Sequence, residues 1–295
     1  MSFARRTIRG NPVDEDTCPI CGAQSSREYR RNMRPRMLRC PSCGTLWQPV
    51  DRDSAPDAAK YAAAYYEAWG HLSQARAVKL ATFDGYLRAM EKHVPPGRLL
   101  DVGCALGFLL EAAQLRGWDP FGVELSAHAA RVAGERLGPD RIHKGSLESA
   151  PFPPGSFRAI TLTDVLEHLP NPVGSLRRCH ELLEPGGCVL VVTPRVGSLS
   201  ENLLGAGWFQ IKEEHLQLLT PPALRLALES AGFRVVRASV PAKTLSLDYL
   251  AHHFRAYPRA ALTPVLNMLA RLAGPLAGAG LRVRTGEQLV VAVRG

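Results

Sequence analysis

"LLDVGCALGF", residues 99–108, is the stretch whose reading decides the rest of the chain. An apolar run reaches an acid at Asp101 and then breaks into a turn with Gly103, Ala105 and Gly107 at every second position. Small residues in that pattern after a buried strand leave backbone amides open to a ligand, where larger side chains would stand in its way. A dinucleotide loop needs G-x-G-x-x-G, so that a pyrophosphate rests on the following helix N-terminus. Here position 108 is Phe, and that spacing fails.

Outward from this loop the pattern alternates. Strand-like runs at 98–102, 120–124, 141–145, 158–164 and 188–193 are separated by helical stretches at 108–116, 126–136 and 173–183, and another helix follows at 221–230. Strand and helix alternating at these lengths predict an α/β fold, a doubly wound and mostly parallel sheet with helices on both faces. "FRVVRAS" (233–239) and "QLVVAVR" (288–294) are expected to pair with each other at one side, giving a seven-stranded sheet with an antiparallel edge strand. Before the first strand, residues 60–93 read as helical and are stopped by "PPG" at 95–97; "QPVDRDSAPDAAK" (48–60) reads as a polar linker. The expected organisation is a small region at 1–53 and a larger domain at 60–295 with a helical insert at about 245–284.

At 295 residues the chain can bury a substantial core, and 46% apolar with 21% charged residues excludes disordered and fibrous classes. "MSFARRTIRGNP" has no apolar segment after its arginines, which argues against a secretory signal. "LTPVLNMLARLAGPLAGAGL" (262–281) is interrupted by Pro264, Asn267, Arg271 and Pro275 and makes a poor membrane span. A cytoplasmic protein is expected. The net charge of +9 is carried by the ends: ten Arg against six acids over 1–53, and nine bases against two acids over 231–295. Basic flanks on a nearly neutral middle suit either solubility or contact with polyanions or a membrane surface.

Four of the seven cysteines form two matching knuckles, "CPICG" (18–22) and "CPSCG" (40–44). Cys18, Cys21, Cys40 and Cys43 have the spacing of a four-thiolate tetrahedral Zn2+ site, with a Gly after each pair for the tight turn. All four coordination places would be filled by protein, so the metal is expected to be structural. Cys104, Cys179 and Cys188 lack paired spacing and read as small buried residues. Between the knuckles Arg27, Arg30, Arg31, Arg34, Arg36 and Arg39 face one Glu28, either as a solvated hairpin or as a phosphate-binding loop.

Seven motifs in order carry a family resemblance: "LLDVGCALG" (99–107), "GVELS" (122–126), "FPPGSFR" (152–158), "DVLEHLPNP" (164–172), "LLEPGG" (182–187), "TPR" (193–195) and "HLQLLTPPALRLALESAGF" (215–233). Residues 60–240 resemble the class I S-adenosylmethionine-dependent methyltransferases, especially the broad group acting on small molecules. The resemblance implies a Rossmann-like fold, S-adenosyl-L-methionine as cofactor, and the loop E/D-x-G-x-G-x-G, here with Ala105 in place of the middle Gly. It implies that Gly103, Cys104, Ala105 and Gly107 receive the methionyl part, with Asp101 holding its ammonium directly or through water. Glu124, ending the second strand, would accept both ribose hydroxyls, with Leu125 beside it. Ser146, Leu147 and Glu148 occupy the stretch that contacts adenine; Ser146 stands where many relatives have an acid, so the Leu147 backbone or Glu148 is expected to substitute. Asp164 borders both cofactor and acceptor. Arg158 and Arg195 depart from the family's usual Asp and Asn, and Arg195 is expected near the substrate mouth, where it could recognise a carboxylate or phosphate.

Methyl transfer from a sulfonium mainly requires alignment of the nucleophile and, for a hydroxyl, removal of its proton. Candidate bases are His168, Glu167, Asp164 and His215, of which His168 leads because histidine titrates near neutral pH. Glu167, His168 and His215 have an alternative reading as residues that order their loops. Enzymes that methylate nucleic-acid base amines commonly carry N/D-P-P-Y/F after the fourth strand to clamp a flipped base; "DVLEHL" has neither Pro-Pro nor an aromatic. The leading reading is methyl transfer to a sugar-, lipid- or natural-product-type metabolite. A Cys-rich ribbon ahead of this fold is similar both to large-subunit rRNA guanine methyltransferases and to deoxysugar C-methyltransferases, so RNA stands as the alternative partner. A third reading is a non-catalytic zinc-ribbon binding module on a methyltransferase-like scaffold. The insert, with Arg255, Arg259, Arg271, Arg282 and Arg284, reads as a lid, an interfacial helix at a membrane surface, or a cap on the sheet edge.

Overall fold

The structure is a computed structural model that describes residues 17–30, 35–50, 66, 72–256, 262–284 and 286–295. The polar linker and the start of the 60–93 helical stretch fall largely outside the described residues, as do Arg31, Arg34 and Arg259.

Three short strands, β1 (Arg27–Glu28), β2 (Leu38–Arg39) and β3 (Leu46–Trp47), form the N-terminal ribbon. The helix α1 (Leu72–Met90) leads into β4 (Arg98–Val102), α2 (Phe108–Leu115), β5 (Asp119–Glu124), α3 (Ala127–Leu137), β6 (Ile142–Lys144) and β7 (Phe157–Thr163). Then follow α4 (Pro172–Leu182), β8 (Leu183–Pro194), α5 (Leu199–Leu204), β9 (Gln217–Leu218), α6 (Pro221–Ser230) and β10 (Phe233–Ser239). The insert comprises β11 (Ala242–Leu245), α7 (Leu247–Ala256), α8 (Leu262–Ala273) and β12 (Leu281–Arg284), and the described chain ends in β13 (Glu287–Arg294).

The main sheet has the order β10-β13-β8-β7-β4-β5-β6. Strands β8 to β6 are mutually parallel, and β13 is antiparallel to both of its neighbours. The two last strands therefore pair with each other, but the antiparallel one lies second from the edge, with β10 outside it. Its central strands are apolar on both faces, as buried parallel strands must be. Successive residues alternate between two cores: Leu99, Ala159, Leu190 and Val291 join one, Leu100, Ile160, Val191 and Val290 the other. Leu87 and Met90 of α1 and Leu109 and Leu110 of α2 cover the first face; Leu176 of α4 and Leu224 and Leu228 of α6 cover the second. Cys104, Cys179 and Cys188 are buried in these cores.

The helices start where the sequence signals them. Ser126 accepts from the Ala129 amide, and Asn171 and Thr220, each followed by Pro at N1, accept from Gly174 and Ala223.

The ribbon is joined to this core. Strand β3 pairs antiparallel with β9, Leu46 opposite Leu218 and Trp47 opposite Gln217. Trp47, at 1% exposure, belongs to the same apolar cluster as Leu100, Ile160 and Leu219. The Thr220 hydroxyl donates to the Cys43 carbonyl at 2.7 Å. The insert begins slightly before its expected start, as a two-stranded stalk of β11 and β12 that carries α7 and α8.

Because ribbon and sheet share one core, Trp47→Ala should lower unfolding free energy by about 3–5 kcal/mol in a single denaturant transition followed by both near- and far-ultraviolet dichroism. Two separated transitions would show that the shared core does not couple them.

Candidate active site

The carboxyl ends of β4, β5, β6 and β7 open into one cavity of about 320 Å³. Ligands in open α/β sheets bind at this edge. The loop after β4 is shaped for close approach: Gly103 (φ +68°), Ala105 (φ +47°) and Gly107 (φ +81°) are all left-handed. A Cβ on Gly103 would lie 2.6 Å from Val165 Cγ2, and one on Gly107 3.1 Å from Ala133 Cβ. The Gly103 and Cys104 amides both donate to Val123 O, at 2.8 and 3.1 Å, which ties the loop to β5. Gly107 thus packs the loop onto α3 and does not line the cavity, whereas Asp101, Gly103, Cys104, Ala105, Glu124, Leu125, Ser146, Leu147, Glu148 and Asp164 do.

Glu124 is 5% exposed. Its Oε2 accepts from the Ala105 amide at 2.8 Å, and its Oε1 from the Ser126 amide at 2.8 Å and the Tyr66 hydroxyl at 3.4 Å. Burial raises its pKa, and the amides oppose that shift. Asp101, 2% exposed, accepts the Thr161 hydroxyl at 2.6 Å. Burial, and then the charge of Glu124, push it up to about 7. Two buried acids side by side are expensive without a partner that offers cations or donors.

The opposite wall is built from the turn after β7 and the segment before β9. Asp164, in a left-handed conformation (φ +56°), meets the Lys243 ammonium at 3.0 Å, and Lys243 meets Glu287 at 2.5 Å. Glu167 is 1% exposed, accepts the Thr193 hydroxyl on Oε2 at 2.9 Å, and is pushed up to about 8 by burial and then by Asp164. His168 Nδ1 donates to Glu214 O at 2.8 Å and His215 Nδ1 to Gln210 O at 2.7 Å; carbonyls only accept, so each Nε2 carries the lone pair. Burial holds His168 down at about 4 and His215 below the ordinary imidazole range, so both are neutral at pH 7. The rings meet edge to face with centroids 4.8 Å apart.

All four expected catalytic positions therefore line this cavity. Arg195 does not: its amide donates to Gly286 O at 3.0 Å, pinning the end of β8 beside β13, and it is absent from the cavity wall. The expectation of an arginine at the substrate mouth is corrected accordingly. Arg158 pairs with Glu184 away from the cavity. Sequence reasoning missed Tyr66, Lys79, Phe83, Lys243, Tyr249 and Glu287, which complete the wall. One signal was available: Glu287 is one of two acids among residues 231–295, and it heads a strand.

Outside this cavity, the ribbon brings its four thiols together. Sγ atoms of Cys18 and Cys43 lie 3.6 Å apart, those of Cys21 and Cys40 3.5 Å. Thiolates 2.3 Å from one tetrahedral metal would be about 3.8 Å apart. The two knuckles repeat one geometry, with Gly22 (φ +69°) donating to Cys18 O and Gly44 (φ +75°) to Cys40 O, each at 3.0 Å.

A family profile described as a methyltransferase domain matches residues 73–238. The chain belongs to the class I S-adenosylmethionine-dependent methyltransferases. It is 36% identical over 114 residues to a ubiquinone biosynthesis O-methyltransferase of Xanthomonas campestris, and 37% over 103 residues to that of Dechloromonas aromatica. These matches span 34% and 32% of this chain and 44% of each relative, less than half of their length. A SAM-dependent methyltransferase from Archaeoglobus fulgidus shares the fold, with a TM-score of 0.53 at 18% identity over 78% of this chain and 98% of that one. In this methyltransferase Ala105 itself takes the left-handed backbone, as Gly103 and Gly107 do on either side of it.

The raised pKa of Asp101 gives a signed prediction. Folded Asp101 titrates near 7 against about 3.9 unfolded, so the folded state holds the extra proton between those values and apo stability falls as pH rises from 4 to 7. Melting temperatures of wild type and Asp101→Asn across that range should diverge, with the variant showing the shallower decline.

Proposed function

We propose that this methyltransferase passes the methyl group of S-adenosylmethionine to a hydroxyl of a small lipophilic acceptor. The observation that carries the reading is the pair of buried acids, Asp101 and Glu124, set against a left-handed small-residue loop on one cavity. These residues fit the cofactor: a carboxylate with two oxygens suits a ribose diol, and a second acid suits an ammonium. Glu124 takes the ribose hydroxyls with Leu125 beside it, Asp101 with the Gly103–Cys104–Ala105 backbone takes the methionyl end, and Gly107 holds the loop on α3. Ser146, Leu147 and Glu148 form the adenine side; Glu148 is steadied by the Ser175 hydroxyl at 2.9 Å. The cofactor supplies an activated methyl, and the protein aligns it.

The acceptor lies against Asp164, Glu167, His168 and His215, where its proton is lost. Support for a hydroxyl and a lipophilic body comes from the O-methyltransferase relatives and from the insert. Helix α8 exposes Val265, Met268, Leu269 and Leu272 at helical spacing, with Leu276 beyond them, each 41–77% exposed. Arg255, Arg271, Arg282 and Arg284 are exposed nearby in sequence, against Asp248 as the insert's acid. An apolar stripe with basic surroundings suits the surface of an anionic membrane, and Lys243 and Tyr249 of the same insert line the cavity. Among the described residues no helix is long and apolar enough to cross a membrane. The four-thiol cluster holds structural Zn2+.

Calorimetry with S-adenosylhomocysteine should give one site per chain. Glu124→Ala removes two charge-assisted hydrogen bonds of about 1.5–3 kcal/mol each, weakening it at least about a hundredfold; unaltered affinity would defeat the assignment. Tritiated methyl from the cofactor should enter a lipid-soluble small-molecule fraction of lysate, and label confined to RNA would replace the acceptor class. A strong chelator should lower the melting temperature in step with release of one Zn2+, and Cys21→Ser should release it without chelator.

A further inference from the structure

The cations of the cavity wall are all of one kind. Only six of the chain's 36 basic residues are lysines, at positions 60, 79, 92, 144, 212 and 243, and the rest are arginines. Lys79, Lys212 and Lys243 nevertheless line the cavity, and among the described residues no arginine does. They arrive from three separate elements: Lys79 from α1, Lys212 from the segment before β9 and Lys243 from β11. An ammonium is a compact point charge on a flexible stem, whereas a guanidinium is a wide planar fork. A cation that must stand beside a small ligand in a cavity of about 320 Å³ is better made from the former.

The roles of the three differ. Lys243 is committed to the protein, its ammonium shared by Asp164 and Glu287. Lys212 is not: its side chain makes no hydrogen bond or ion pair, although Glu213 and Glu214 follow it directly. Its place in the chain is fixed all the same, because Gln48 Nε2 and the His215 amide both donate to the Lys212 carbonyl, at 3.0 and 3.2 Å. Burial, and beyond it the Lys212 charge, hold His168 and His215 neutral, so this ammonium stands near both rings. Against the cost of burial, Lys243 and then Lys79 favour ionised Asp164, which sets Lys79 on the same wall. Glu167 is pushed up to about 8 by burial and then by Asp164, and is largely protonated at pH 7. Three lysines therefore face two ionised acids, Asp164 and Glu287, and the sulfonium of the cofactor adds positive charge to the same space. A cavity lined by one sign of charge draws a ligand of the other.

We propose that the acceptor is an amphipathic hydroxy acid: beside the hydroxyl that is methylated it carries a carboxylate or phosphate oxyanion, which Lys212 and Lys79 bind. This rests on the methyl-transfer reading and narrows its acceptor class. Each ammonium offers three donors, and hydrogen bonds to an ionised partner are roughly twice as strong as neutral ones. Holding the anion at these residues orients the neighbouring hydroxyl toward the turn that carries Asp164 and His168. The same charges disfavour a competing acceptor with an ammonium group.

The test carries tritiated methyl from S-adenosylmethionine into the small-molecule fraction of lysate, using the full chain with its thiol cluster loaded with Zn2+, and reads the charge of the product. Labelled product should bind an anion exchanger at neutral pH and leave it at high salt. Phosphatase separates the two sources of the charge: retention lost marks a phosphate ester, retention kept marks a carboxylate. Label in a product that passes through the exchanger overturns the inference and leaves methyl transfer standing. So does label released as methanol by mild base, which marks an ester made at the carboxylate itself. No label in any small molecule would instead overturn the methyl-transfer reading, and the inference with it. Lys212→Gln and Lys79→Gln should each raise the KM for the acceptor fraction at least about tenfold, with S-adenosylhomocysteine affinity unchanged as the measure that each variant is folded. Lys92→Gln, outside the cavity wall, should behave as wild type. A KM unaltered in both folded variants would remove Lys212 and Lys79 from the acceptor site.

Discussion

The carboxylate of Glu124 is the joint on which the cavity depends. It ends β5, yet its two oxygens reach a left-handed loop residue, Ala105, and the first turn of α3 through the Ser126 amide. One side chain therefore sets the distance between the loop after β4 and the helix after β5. A negative charge there is favoured by the α3 N-terminus and by the two amides, and opposed by burial and by Asp101 nearby. The balance leaves both acids above the ordinary carboxylate range. Raised carboxyls gathered at one cavity are a common feature of functional sites.

The ribbon acts on the opposite wall. Gln48 Nε2, just after β3, donates to the carbonyls of Lys212, Glu213 and His215 at 3.0, 3.1 and 2.8 Å. Those carbonyls belong to the segment that presents His215 to the cavity and that supplies the Glu214 carbonyl bonded to His168. With β3 paired to β9 directly afterwards, the four-thiol cluster and the histidine pair are connected by a short run of hydrogen-bonded backbone. The ribbon can in this way fix the orientation of two cavity side chains through backbone contacts alone. The physical requirement is stiffness: a two-residue strand has little stability of its own and takes its position from what it pairs with.

The sequence made the sheet legible because buried parallel strands and amphipathic helices leave strong, local and different periodicities. Asp101, Gly103, Ala105 and Glu124 were legible for the same reason, since each sits at a strand end that the periodicity locates. Strand β9 was not: two residues carry no period, and their partner lies about 170 positions earlier. Lys243 and Glu287 were not legible either, because the whole insert separates them in sequence. They meet because the stalk strand β11 and the head of β13 both arrive at the carboxyl end of β7. Arg195 was misplaced for a related reason. Sequence order puts it at the mouth, but its amide is caught by Gly286 O, and the chain turns there toward the ribbon.

Lys243 shows how the insert is fitted to the site. It pairs with both Asp164 and Glu287, so it offsets repulsion between two acids at the cavity end. Asp164 holds a left-handed backbone, uncommon for a residue with a side chain, and such a conformation persists where surrounding contacts over-determine it. Strand β11 is in turn anchored to α1 by the Thr244 amide donating to Thr82 Oγ1 at 2.8 Å. Sheet and insert thereby divide the cavity: the strand ends β4 and β5 supply the loop and acids common to the fold, while β11 and α7 supply Lys243 and Tyr249 at the other end. Chemistry is grafted onto a shared scaffold through such additions, and here the insert gives the cavity a wall that the sheet alone does not supply.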